Sequence, residues 1–227
     1  MENNIARYID HAILKPEMTQ DEARKAILEG INYSVRTVCV RPCDIELAVG
    51  LCKGTQTDVC CVLAFPHGCV PTEVKAFEAS QYAFKGLKEI DMVANFGYVR
   101  SGLWDKVLKD IQAVAEVTRK AGVLLKVIFE SCTLSLEEIK KTTEICIEAG
   151  ADFVKTSTGF HNDGATVEAV KAMVEAAKGR IRVKASGGIR DIETARRYID
   201  MGCERLGVGF STTPVLISGQ GRSQSNY

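Results

Sequence analysis

Eight short apolar runs recur along the chain and alternate with longer amphipathic stretches. The runs are rich in β-branched residues and show no regular polar alternation, which is typical of strands covered on both faces. They read RYIDHAIL, RTVCV, DVCCVLAF, EIDMVANF, VLLKVIFE, DFVKTST, RIRVKAS and ERLGVGF. Strands that alternate with helices indicate a parallel sheet, and eight repeats predict a barrel.

The stretches between the runs carry helix signals. Several open with Ser, Thr or Asp at an N-cap position, and many end in Gly, as helix C-termini do. Examples are TQDEARKAILEG, DKVLKDIQAVAEVTRKAG and SLEEIKKTTEICIEAG. We therefore predict an α/β fold, a (β/α)8 TIM barrel with an additional N-terminal helix. A doubly wound sheet is the structural alternative, although no GxGxxG motif follows the first strand.

The length of 227 residues fits one barrel, whose usual size is roughly 250 residues. We expect a single (β/α)8 domain over residues 1–217. Residues 218–227 are rich in Gly, Ser and Gln and predict a flexible C-terminal tail, which ends at Tyr227.

The amino-acid composition limits the kinds of binding partner that we expect. Basic and acidic residues both number 29, so no basic excess indicates nucleic acid or an anionic membrane, and a small metabolite is the expected ligand. The sequence contains no long apolar span, and we expect no targeting segment. The nine cysteines are odd in number and contain no CxxC, which predicts reduced, packed thiols in a cytoplasmic protein. His11, His67 and His161 are scattered, so we predict no metal site.

Three lysines lie in runs that otherwise read as buried strands: Lys126, Lys155 and Lys184. Burying an ammonium costs several kcal/mol unless it is paired or loses its proton. With Asp91, these residues lie towards the C-terminal ends of four consecutive strands, which is where barrels hold their chemistry.

Lys155 and Lys184 would lie on neighbouring strands about 4.8 Å apart. Two ammonium groups in one apolar space disfavour each other, so we expect a lowered pKa for at least one amine. A neutral lysine forms a Schiff base with a carbonyl, as aldolases do. Asp91 would then serve as a general acid or base. The alternative is a structural network in which the lysines pair with Asp91 or Glu130.

A phosphate site is also indicated. Gly187 and Gly188 precede a helix that begins near Asp191, so backbone amides and a helix dipole could face an anion. Thr158 and Gly159 offer a second loop of small residues. Arg190 could assist, or could be a solvated surface residue.

The motifs IDHAILKPEMT, EIDMVANFG, LLKVIFE, AGADFVKTSTGF, GATVEAVKAM and VKASGGIRDIETA resemble the deoxyribose-phosphate aldolase family, over about residues 8 to 207. The resemblance implies a class I aldolase on a (β/α)8 barrel, with no metal or organic cofactor. It would reversibly cleave 2-deoxy-D-ribose 5-phosphate to acetaldehyde and D-glyceraldehyde 3-phosphate, in nucleoside catabolism. A homodimer is expected from the fold and the family.

The resemblance also implies roles for residues. Lys155 resembles the Schiff-base lysine, Lys184 the second lysine that perturbs it, and Asp91 their acidic partner. Lys126 resembles a further lysine at the substrate site, and the positions of Asp10 and Cys39 border that site in the family. The terminal Tyr227 resembles a tail residue that reaches over the active site in some members.

Two departures from the family pattern matter. Ala12 stands where a Thr is usual, which removes a hydroxyl near the substrate. RLGVGFSTT places Gly209 and Phe210 where small hydroxyl residues assist the phosphate, and Ser211 could substitute for them. Two alternatives follow: a Schiff-base aldolase for another, possibly unphosphorylated, aldehyde, or a weakly catalytic homologue that binds sugar phosphates.

Overall fold

The eight apolar runs form eight parallel strands that close into a barrel. The computed structural model describes residues 4–224. The strands are β1 (Ile9–Ile13), β2 (Thr37–Val40), β3 (Asp58–Leu63), β4 (Glu89–Val93), β5 (Leu124–Ile128), β6 (Phe153–Lys155), β7 (Arg182–Ser186) and β8 (Arg205–Gly209). Each strand pairs with the next, and β8 pairs with β1. The barrel prediction is confirmed, and the doubly wound alternative is wrong.

Helices connect the strands on the outside. They are α1 (Gln20–Asn32), α2 (Ile45–Cys52), α3 (Thr72–Ala83), α4 (Phe96–Arg100), α5 (Trp104–Ala121), α6 (Leu136–Ala149), α7 (Val167–Ala177), α8 (Ile192–Asp200) and α9 (Thr213–Ser218). A 3-10 helix at Ile5–Tyr8 precedes β1 and is the predicted additional N-terminal helix. Two further 3-10 turns cover Pro42–Asp44 and Ser131–Thr133.

The predicted helix ends have the expected caps. Thr19 and Ser135 each form a capping box. Their hydroxyls accept from the amide of the third helical residue, and the carboxylate of that residue, a Glu, accepts from the amide of the cap residue. Gly122 and Gly150 end α5 and α6 in the left-handed conformation, with φ of 68° and 81°. These local signals explain why helix bounds could be predicted so closely.

The apolar core lies mainly between the strands and the helices. One large cluster of buried side chains joins helix residues such as Ile27 and Ile111 to strand residues such as Val38 and Val127. A second, small apolar cluster contains Leu14, Cys39, Cys60 and Val62. Much of the remaining barrel interior is polar and charged, which the large outer core can support.

All nine cysteines are free thiols in the structure; six of them are buried, and Cys43, Cys69 and Cys132 are exposed. Among residues 4–224, no helix combines the length and apolar character needed to cross a lipid bilayer.

The predicted tail is partly described. The Ser223 amide donates to the Arg190 carbonyl at 2.9 Å, and the Thr212 hydroxyl donates to Ser223 Oγ at 2.8 Å. These contacts bring residue 223 against the loops that follow β7 and β8. Flexibility of residues 218–227 stays a prediction, and Tyr227 lies outside the described residues.

His11 links β1 to two helices from a fully buried position. Its Nε2 donates to the Ala26 carbonyl at 3.0 Å, so Nδ1 is the acceptor for the Thr213 hydroxyl at 2.8 Å. Burial lowers the pKa of His11 to about 4, although the bond to Ala26 opposes the shift. The imidazole is therefore a neutral structural group in the folded protein.

We expect His11 to make folding pH-dependent. Between its folded pKa of about 4 and an unfolded value of about 6.5, the unfolded chain binds more protons, so stability falls as pH drops through this window. Between about pH 7 and pH 4.5 the loss of stability is roughly 2–3 kcal/mol relative to His11→Gln, which does not titrate. Urea unfolding of both proteins between about pH 7 and pH 4.5 measures it. Equal pH slopes in the two proteins would contradict this role.

Candidate active site

Asp91 is the common partner of the three lysines. Lys126 Nζ donates to Asp91 Oδ1 at 2.8 Å, while Lys155 and Lys184 each donate to Oδ2 at 2.8 Å. The Cys60 thiol adds a bond to Oδ1 at 3.2 Å. Strand register explains the convergence, because Asp91 pairs with Lys126 and Lys155 pairs with Lys184 on adjacent strands. The side chains that were predicted to be catalytic therefore meet in one buried cluster.

Carboxylates set the charge of two of these lysines. Burial disfavours the ammonium form, but Asp91 and Glu89 outweigh it and raise the pKa of Lys126 well above its ordinary value. Asp10 and Asp91 likewise overcome burial and raise the pKa of Lys184. The prediction was of a lowered pKa for at least one of two amines, and Lys184 does not have it. The prediction considered the repulsion between the lysines but not the carboxylates that lie between them.

The carboxylate of Asp91 stays ionised. Burial alone would favour the neutral acid, but Lys126, Lys155 and Lys184 hold the pKa of Asp91 well below its usual range. Asp91 pairs with the lysines, as the structural alternative proposed, whereas Glu130 does not. The Glu130 carboxylate instead accepts from the Thr158 amide at 3.2 Å and from the Thr158 hydroxyl.

One cavity opens at the C-terminal ends of β6, β7 and β8. Of the three lysines that contact Asp91, Lys155 alone lines it. The predicted residues Thr158, Gly159, Gly187 and Gly188 also line it. The remaining lining residues are Ala12, Leu14, His161, Asn162, Asp163, Gly164, Ser186, Ile189, Arg190, Gly207, Gly209 and Thr212.

Asp10, Cys39 and Lys126 lie behind the cavity wall. Each is at most 1% exposed, and none of them lines the cavity. A substrate-binding role for these three residues stays a prediction. Asp10 and Lys126 contact charged side chains, and Cys39 packs beside Cys60 and Leu14.

The glycine loop after β7 packs against the loop after β6. Gly187 and Gly188 have φ of 80° and 76°, in the left-handed region. A Cβ on Gly187 would lie 2.8 Å from Gly164 Cα, so this contact requires glycine. The α8 N-terminus is less available than predicted, because Asp191 Oδ1 already accepts from the Thr194 amide at 2.8 Å. On this side of the cavity, the groups with the chemistry of anion ligands are therefore Gly187, Gly188 and Arg190.

The loop after β8 presents a different hydroxyl from the one predicted. Phe210 is not part of the cavity wall, and its ring contacts His11 edge-on, with 6.5 Å between centroids, and packs against the Lys15 ammonium. Ser211 is exposed and does not line the cavity, whereas Thr212 does. The cavity therefore receives Thr212 from this loop, because α9 begins at Thr213 and places Thr212 at its start, and phosphate binding by Ser211 stays a prediction.

Sequence reasoning missed Thr212, Ser186 and the segment His161–Asp163. That segment follows Thr158 and Gly159 directly after β6. In (β/α)8 barrels the loops that follow the strands form the active site, and this rule would have identified the segment. The sequence analysis selected only Thr158 and Gly159 from this loop, because their side chains are small.

Two thiols and a carboxylate lie close together in the cluster. Atoms of Cys39, Cys60 and Asp91 lie within 4.8 Å of one another. Three ammonium groups already donate to Asp91, which opposes binding of a divalent cation there. That the protein uses no metal stays a prediction.

Comparison with known proteins extends these observations. A family model described as DeoC/LacD family aldolase matches residues 5–212. The deoxyribose-phosphate aldolase of Exiguobacterium sp. is 45% identical, over 98% of this chain and 99% of that protein. That of Mannheimia succiniciproducens is 47% identical over 89% and 90%. The tetrameric deoxyribose phosphate aldolase of Aeropyrum pernix has a similar structure, with a TM-score of 0.87 and 29% identity over 96% of this chain and 92% of that one.

A closed parallel barrel with a buried amine and carboxylate cluster beneath an open cavity defines the class, a (β/α)8-barrel enzyme with its site at the C-terminal ends of the strands. The chain belongs to the DeoC/LacD family of aldolases, which its sequence motifs resembled.

Proposed function

We propose that this protein is a class I aldolase that reversibly cleaves 2-deoxy-D-ribose 5-phosphate to acetaldehyde and D-glyceraldehyde 3-phosphate. The observation that carries the proposal is the position of Lys155. It is the buried lysine that lines the cavity, and its Nζ lies 2.8 Å from Asp91 Oδ2. A nucleophile needs this combination of access to substrate and contact with a proton-transfer partner.

The proposed reaction begins when the neutral Lys155 amine attacks the C1 aldehyde of the open-chain sugar. Uptake of one proton and loss of water then give a protonated imine. The C3 hydroxyl then loses its proton, the C2–C3 bond breaks, and its electron pair moves into an enamine at C2. D-Glyceraldehyde 3-phosphate departs, C2 regains a proton, and hydrolysis of the imine releases acetaldehyde and the free amine.

Asp91 and Lys184 are the proposed proton-transfer groups. Lys184 Nζ donates to the same Asp91 oxygen as Lys155 Nζ, so a proton can pass among these groups with little movement. Because Lys184 does not line the cavity, a water would carry the proton between this pair and the substrate hydroxyl. The ionised Asp91 also stabilises the positive charge of the imine.

The phosphate is proposed to lie at the end of the cavity formed by Gly187, Gly188, Arg190 and Thr212. These groups offer backbone amides and a guanidinium, which are common phosphate ligands, and a hydroxyl that would exchange its bond to Ser223 for one to the phosphate. The Gly209–Phe210 departure favoured an unphosphorylated aldehyde in the sequence. With Phe210 off the cavity wall and Thr212 on it, that alternative loses its support.

We also propose a homo-oligomeric, cytoplasmic enzyme. Val74 and Phe77 on α3 and Phe84 at its end are 42%, 63% and 68% exposed, and a subunit contact would cover this apolar surface. A homodimer remains the expectation, and light scattering that gave only the 24.8 kDa chain mass would contradict it. Nine free thiols favour a reducing compartment.

The purified protein should cleave 2-deoxy-D-ribose 5-phosphate and release acetaldehyde. Lys155→Met should lower kcat at least about a thousandfold, because the amine that forms the imine is gone. The matched control is Lys171→Met, which removes an exposed lysine on α7. Binding of the sugar phosphate without cleavage would favour the weakly catalytic homologue.

Arg190→Gln should weaken recognition of the phosphate. Loss of a hydrogen bond to a charged group costs roughly 1.5–3 kcal/mol, so we expect kcat/KM for the phosphorylated sugar to fall about ten- to hundredfold. Activity on unphosphorylated deoxyribose should change little. Arg196→Gln, on the exposed side of α8, is the control. An equal loss of kcat/KM on both sugars would show that Arg190 does not bind the phosphate.

A further inference from the structure

Arg205 joins two carboxylates beneath Asp91. Its Nη1 and Nη2 donate to the two Glu89 oxygens at 3.0 and 2.9 Å, and Nη1 also donates to Asp10 Oδ1 at 2.6 Å. The guanidinium lies 5.4 Å from the ring centroid of buried Phe153. A bidentate, packed guanidinium has little freedom to move, so Arg205 fixes both carboxylates.

Both of these carboxylates pair with lysines. Glu89 Oε2 lies 2.5 Å from Lys126 Nζ, and Asp10 Oδ2 lies 2.5 Å from Lys184 Nζ. Asp10 Oδ2 also lies 3.6 Å from Lys126 Nζ. Both lysines then contact Asp91, so two chains of ion pairs lead from Arg205 to the candidate catalytic carboxylate. Lys155 differs from them, because its ion pair among residues 4–224 is with Asp91 alone.

Every strand contributes to this network. The polar and titratable groups that face it are Asp10 on β1, Thr37 and Cys39 on β2, Cys60 on β3, Glu89 and Asp91 on β4, Lys126 on β5, Lys155 on β6, Lys184 on β7 and Arg205 on β8. The network contains three carboxylates and four basic groups. With all of them charged, it carries one surplus positive charge.

We propose that Glu89 and Arg205 are positioning residues that hold Lys126 and Lys184 in place and charged, and so leave the surplus positive charge at Lys155. Neither residue lines the cavity, so both act through the layer above them. The inference deepens the proposed function and rests on it for the role of Lys155 as nucleophile. A cluster that becomes neutral when one amine loses its proton favours the uncharged amine that imine formation needs.

Both positioning residues are themselves charged. Although burial favours the neutral acid, Lys126 and Arg205 lower the pKa of Glu89, and Asp10 and Glu89 raise the pKa of Arg205 against the effect of burial. Removing either side chain's charge therefore changes the network by one unit. Glu89→Gln adds one surplus positive charge, whereas Arg205→Gln removes it.

The test follows the neutral amine of Lys155 with cyanate, which adds to an uncharged amine to form a carbamyl group. Mass spectrometry gives the rate at Lys155 as a function of pH in four proteins: the wild type, Glu89→Gln, Arg205→Gln and the double variant. Glu204→Gln is the matched control, because it makes the same charge change at an exposed neighbour of Arg205. Circular dichroism confirms the fold of each protein. Cyanate needs no sugar, so failure to cleave deoxyribose 5-phosphate would remove the proposed function and leave this test intact.

At a pH where Lys155 is mostly charged, Glu89→Gln should react about tenfold faster and Arg205→Gln about tenfold slower than the wild type. The double variant and Glu204→Gln should react nearly as the wild type does. The pH profile of kcat/KM should shift in the same directions. Folded single variants that react unchanged, or shift in the same direction, would overturn the proposal. If Arg205→Gln does not fold, Glu89→Gln and the double variant decide it by the same criteria.

Discussion

The interior of this barrel depends on one carboxylate, that of Asp91, which accepts from three ammonium groups at 2.8 Å. An unpaired ammonium in such a space would cost several kcal/mol, and three would repel one another strongly. The carboxylate of Asp91 offsets this repulsion, because it pairs with all three ammonium groups. Parallel register explains how this is achieved, since alternate residues of neighbouring strands point inwards at similar heights. The large apolar core between strands and helices supports this polar interior.

The charged side chains of the site form two layers with different roles. In the lower layer Arg205, Glu89 and Asp10 fix one another and hold two lysines. In the upper layer Asp91 connects those lysines to Lys155, which reaches the cavity. The far end of the cavity, formed by the loops after β7 and β8, has the chemistry of an anion site. A substrate with an aldehyde at one end and a phosphate at the other matches this arrangement, and the proposed sugar phosphate has both.

The sequence could predict much of the fold because local signals agreed. Continuous β-branched runs gave the strands, and Thr19, Ser135, Gly122 and Gly150 marked helix ends where the structure has them. Lysines in apolar runs also revealed the buried cluster. The pKa of Lys184 could not be predicted in the same way, because it depends on Asp10, a residue far away in the chain that register brings to 2.5 Å. The choice of Thr212 over Ser211 likewise depends on where α9 begins, which no nearby motif determined.

The central claim is that the three lysines have different roles, and that Lys155 alone forms the imine. Incubation with acetaldehyde and borohydride, followed by peptide mapping, tests it directly, because borohydride converts the imine into a stable ethyl group on the lysine that formed it. We predict one ethyl group per chain, on Lys155, with Lys126 and Lys184 unmodified. Modification of Lys126 or Lys184, or no adduct at all, would contradict the account.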